Sequence, residues 1–157
     1  MAEPLAPDVA LPAETTQDER TIAVLAHVLQ LVGGWIAPLV IFLVKRQSRF
    51  VSFHALQVLF LQLVYLVIVV CLVIFWISGI LLTILASHAS NHSPPPAVFV
   101  ILPLFWLGFM GMWVATIVVA IAFSVKAGRG EWAEYPVLGR WARQILKIGP
   151  GGGPMQS

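Results

Sequence analysis

Between Val51 and Val125 there is no Asp, Glu, Lys or Arg, and there is none between Thr21 and Val44. A water-facing surface cannot be assembled from such stretches. Soluble domains carry about a quarter charged residues, whereas this chain carries 10%. Charge-free apolar runs of roughly 18 residues or more read as membrane spans. The chain is therefore expected to be all-α and polytopic, with spans over about 22–44, 58–86 and 98–125 inside one membrane domain, 16–148.

The boundaries follow from local chemistry. Residues 1–15 are rich in Pro, Ala and acid and read as a disordered tail. Thr16 followed by Glu19 is a capping box ahead of an apolar run, so a first helix is predicted from about Thr16 to Val44. Residues 50–86 would make a helix of roughly 54 Å, longer than the 30 Å bilayer core. One helix is expected there, its first turns in the interface and the rest tilted or bent near Ser78 and Gly79. "SHASNHSPPPA" reads as a loop, "KAGRG" as the stop of the third span, and 149–157 as a second disordered tail.

Lys45, Arg46 and Arg49 precede the second span, and Lys126, Arg129, Arg140, Arg143 and Lys147 follow the third. With three spans these lie on one side and Arg20 on the other. The positive-inside rule then puts the N-terminus outside and the C-terminus in the cytoplasm. Residues 137–148 form an amphipathic stretch, with Val137, Leu138, Trp141, Ile145 and Ile148 opposite Arg140, Arg143, Gln144 and Lys147. An interfacial helix bound to lipid is predicted from it.

Polar residues collect on shared helical faces. His54, Gln57, Tyr65 and Thr83 form one stripe, flanked by Gln62; His27 and Gln30 form another. Gly108, Gly111, Ala115 and Ala122 share a face of the third span. Small and polar residues gather at helix contacts in lipid, so these faces are expected to meet other helices. With three spans, His27 and His54 should be more than about 20 Å apart, too far to ligate one haem. His88 and His92 have metal-pair spacing but sit in a Ser/Asn-rich stretch with no third ligand. Cys71 is alone and no buried acid could act as a general base. The sequence thus calls for no catalytic residues, cofactor, metal or nucleic acid. Its partners would be the lipid bilayer and a second copy or other membrane proteins.

"DERTIAVLAHVLQLVGG", "PLVIFLVKRQSRFVSFHALQ" and "IAFSVKAGRGEWAEYP", in that order, resemble a family of small bacterial membrane proteins of unknown function. That family is grouped with the twenty-kilodalton subunit of the Tic import translocon of the chloroplast inner envelope. The resemblance covers roughly 17–138. It rests on Phe53, His54 and Gln57, and on Glu131, Trp132, Tyr135 and Pro136. It implies a polytopic protein without enzymatic activity, beside a protein-conducting machine; the plant relative, however, has four spans. Both motifs fall at the cytoplasmic interface, so His54 or Gln57 is expected to bond Glu131 or Tyr135, with ionised Glu131 favouring an imidazolium at His54. The leading function is a non-enzymatic scaffold or accessory subunit; the alternatives are an oligomeric pore lined by His27, Gln30, Gln57, Gln62 and Tyr65 and, behind it, a cofactor-binding or enzymatic membrane protein.

Overall fold

The computed structural model describes residues 15–90 and 97–149. The tails read as disordered at 1–15 and 149–157 lie outside these apart from Thr15 and Gly149, as do residues 91–96 of the loop, His92 among them. The described chain is all-α: α1 (Gln17–Gly33), α2 (Ile36–Val44), α3 (Arg49–Ser90), α4 (Ala97–Gly128) and α5 (Leu138–Leu146). It forms two compact units, one holding residues 15–61 and 120–149 and the other 62–90 and 97–119.

The continuous helix expected from Thr16 to Val44 is instead two helices. α1 starts on the capping box: the Thr16 hydroxyl accepts from the Glu19 amide and the Glu19 carboxylate accepts from the Thr16 amide. It ends where Gly34 takes φ 54°, a conformation open to glycine. α2 then restarts with Pro38 in its first turn, where a missing N–H costs little. The chain turns back here. Ser48, four residues beyond the end of α2, donates its hydroxyl to Glu19 in the first turn of α1, at 2.6 Å. Its hydroxyl and the Thr16 amide hold the Glu19 carboxyl below the usual carboxylate range.

The start of α1 also meets the end of α4. Arg20 Nε donates to Thr15 Oγ1 at 2.8 Å, and the two side chains crowd Gly130, where an added Cβ would stand 2.6 Å from Thr15 Oγ1. The first unit thus gathers the start of α1, the start of α3 and the end of α4 at one end. Its core has two clusters, Phe53, Leu56, Ala142 and Ile148, and Ala23, Phe50 and Ala127. Trp132 packs on both.

α3 is unbroken through Ser78 and Gly79. Every residue from Phe50 to Val58 is buried in protein, whereas large apolar side chains are exposed from Leu63 to Leu85. α4 exposes a similar stretch, Val100 to Ile121. Each is close to the roughly 20 residues a bilayer core requires. Among the described residues, α3 and α4 are the two helices long and apolar enough to cross a membrane. In the second unit they run antiparallel, with Trp76 stacked on Phe105 at 5.2 Å. The small-residue face of α4 does not carry the helix contact expected of it, since a Cβ added at Gly108 or Gly111 would meet nothing within 4 Å.

Gly34 and Gly79 both have open surroundings, yet only Gly34 needs positive φ. Gly34→Ala should therefore destabilise by about 1–3 kcal/mol through backbone strain, whereas Gly79→Ala should stabilise by up to about 1 kcal/mol. Thermal unfolding in detergent micelles would show the opposite signs.

Candidate functional site

The polar residues of the first unit converge on the segment between α4 and α5. His54 is fully buried one turn and a half into α3, and its Nε2 lies 3.2 Å from the backbone carbonyl of Glu131. A carbonyl only accepts, so Nε2 carries the proton and a neutral His54 has a bare Nδ1. That atom is 3.1 Å from Nε2 of His27, which must then donate. His27 Nδ1 is left as acceptor for the Tyr135 hydroxyl, at 3.1 Å. The Gln30 side chain completes the chain on the phenol oxygen, while its amide also donates to the His27 carbonyl at 2.9 Å. One carbonyl thus fixes the direction of the whole relay, with both imidazoles neutral.

Gln57, fully buried and close to one turn further along α3, holds the same segment by backbone. Its amide donates to the Ala133 carbonyl at 3.2 Å and its oxygen accepts from the Tyr135 amide at 2.7 Å. The side-chain amide thereby does what a neighbouring strand would do for residues 133 and 135. Burial raises the Tyr135 phenol above its ordinary pKa, partly offset by Gln30, so the hydroxyl stays a donor. Trp132 seats the segment further, edge-on to Phe50 at 5.2 Å and tilted over Phe53 at 5.4 Å.

Several expectations change here. His27 and His54 are not more than 20 Å apart; they are hydrogen-bonded, because α1 and α3 start from the same end of the unit. Glu131 meets His54 through its main chain only. Its carboxylate is 3.9 Å from Arg129 on the surface, so no ion pair stabilises an imidazolium. The supposed seam divides: His27, Gln30, His54 and Gln57 are buried in the first unit, while Gln62 and Tyr65 belong to the second and are half-buried. Thr83 turns its hydroxyl to the Gly79 carbonyl of its own helix. Pro136 is exposed in the turn before α5. The sequence pattern gives no sign of the Tyr135–His27 bond or of the role of Arg143, which binds Glu134 and the Gly149 carbonyl and lies over the Phe53 ring.

Among the described residues no group of three or more His, Cys, Asp or Glu is placed to hold a metal ion. What the arrangement does chemically is to clamp three chain segments, from α1, α3 and the strap 131–135, without a charged group in the contact.

The model of the MamF/MmsF family, described as the magnetosome magnetite crystal formation protein family, matches residues 18–142, and the chain belongs to that family. No curated protein and no solved structure matches it. The grouping with the chloroplast import translocon is thereby overturned. The short motifs that carried it, around His54 and Glu131, meet one another in the hydrogen bonds of the clamp.

Gln57→Ala leaves the Tyr135 amide and the Ala133 carbonyl unpaired, each costing about 1–3 kcal/mol. A total loss of at least about 2 kcal/mol is expected in denaturant or thermal unfolding. Glu131→Ala keeps the bonded carbonyl and should stay within about 0.5 kcal/mol of the parent.

Proposed function

We propose that this chain serves magnetite crystal formation in the magnetosome membrane as a non-enzymatic scaffold or accessory subunit. The observation that carries this reading is the closed relay: His27, Gln30, His54 and Gln57 are spent on one another, on Tyr135 and on the main chain of the strap. A pore lining needs polar groups turned toward water. A catalytic site needs a group left over for a substrate. The family description supplies the process. Deleting the gene in a magnetosome-forming cell should change the size or number of magnetite crystals seen by electron microscopy. The purified protein should give no conductance in a planar bilayer; current steps abolished by His27→Phe would favour the pore.

We further read α1 and α2 as a re-entrant hairpin that enters the membrane and returns to the side it came from. Its support is the Ser48–Glu19 bond together with the contact of Thr15 and Arg20 on Gly130. The exposed Leu25, Val32, Trp35, Ile36 and Val40 suit a lipid surround. Charge supports the same reading. If only α3 and α4 cross, all nine Lys and Arg residues fall on one side, the cytoplasmic side by the positive-inside rule, and the N-terminus lies there too. α5 would rest in that interface. Gly139 and Ala142 are buried, while Trp141 and Ile145 form an exposed apolar edge beside exposed Arg140 and Lys147, the pattern of an in-plane helix.

Single-cysteine labelling in a Cys71→Ser background separates the two topologies. With a re-entrant hairpin, cysteines at Gln17 and Gln47 react from the same side and one at Ala89 from the other. Labelling of Gln17 and Gln47 from opposite sides would restore the three-span arrangement.

A further inference from the structure

In the relay each ring nitrogen has one role, and the roles are set by neighbours that do not exchange them. An added proton makes both nitrogens of an imidazole donors. On His54 the new N–H would face the N–H of His27; on His27 it would face the hydroxyl proton of Tyr135. Reversing the upstream donors could repair the geometry, but the charge would remain, and a buried charge without a partner is costly.

The surroundings offer such a charge no partner among the described residues. Toward the two rings α3 presents Phe50 and Phe53 and α4 presents Phe123, while Gln30 of α1 binds the His27 carbonyl. The strap presents Tyr135 and the main chain of Glu131. Both carboxylates of the strap are engaged with arginines, Glu131 with Arg129 and Glu134 with Arg143. The charges one ring further out are cations: Lys126 Nζ is 5.3 Å from the Phe123 ring centre, and the Arg143 guanidinium carbon is 4.9 Å from that of Phe53.

We propose that the Tyr135–His27–His54 relay is an acid-sensitive latch, in which uptake of a proton by the histidine pair releases the Glu131–Tyr135 strap from α1 and α3. In the released state the imidazoles regain water and take up protons more readily than when enclosed. Lowering the pH therefore favours release, and raising it restores the clamp. Because the strap leads directly into α5, the same proton loosens the seating of that helix. Gln57, which carries no titratable group, then holds residues 133 and 135 alone.

The test uses the full chain in non-ionic micelles with ¹⁵N-labelled histidine. Ring-nitrogen NMR reads tautomer and charge, and amide hydrogen exchange, corrected for the intrinsic pH dependence, reads the strap. At pH 7.5 both rings should be neutral, with the proton on Nε2 and the strap amides protected. Between pH 7.5 and 4.5, ring protonation and a loss of protection of at least tenfold over 131–146 should share one midpoint, with 66–86 unchanged. His54→Gln keeps an acceptor and a donor at the two ring positions but cannot take up a proton; it should displace or abolish the transition. Protonated rings under a still-protected strap would overturn the latch, as would a strap that opens while both rings remain neutral. Should His54→Gln not fold, the coincidence or separation of the two wild-type midpoints decides alone.

Discussion

A backbone carbonyl at Glu131 sets the direction of every hydrogen bond in the relay. Because it can only accept, the proton of His54 sits on Nε2, that of His27 also on Nε2, and the tyrosine must donate. Helix α1, the start of α3 and the connection to α5 are tied through this sequence of roles. Apolar packing around Trp132 excludes the water that would otherwise satisfy the same groups one at a time. Neither part suffices alone. The aromatic cluster gives no orientation, and an open relay would exchange its partners for solvent.

Much of this architecture is legible in the sequence as chemistry but not as direction. The charge-free runs announce apolar helices, and Thr16 with Glu19 announces where the first begins. Hydropathy does not say whether a run crosses the bilayer or turns inside it. The turn has its own signal, Gly33–Gly34 followed by Pro38, a helix end and a helix first turn in succession. Read as one continuous span, the segment sends α1 to the far side and parts His27 from His54. The histidine–glutamine cluster is visible as an anomaly in an apolar run, yet its partners are main-chain atoms of residues 131, 133 and 135, and no side-chain pattern encodes these. Glu131 illustrates the difficulty: its carboxylate attracts the eye, while its carbonyl makes the contact.

The polar entry into α3 has a similar explanation. Phe50 to Val58 is enclosed by protein, so His54 and Gln57 meet bonding partners where lipid would offer none. The exposed, lipid-suited part of the helix begins only near Leu63. One helix therefore passes from a protein interior to a membrane-type surface without any interruption of its backbone ladder, and its total length measures the two environments added together.

The Tyr135–His27 bond closes a loop of 108 residues. During synthesis α1, α2 and α3 emerge long before the segment that completes their contacts. At about 5–20 residues per second, the ribosome needs roughly 5–20 s to reach Tyr135 after His27. For that interval His27, His54 and Gln57 have no strap to bind and must keep water or a chaperone as company. The order of assembly is thus written into the connectivity. A segment made late seals one made early, and a nascent chain stalled in α4 would hold a membrane domain with its polar interior still open.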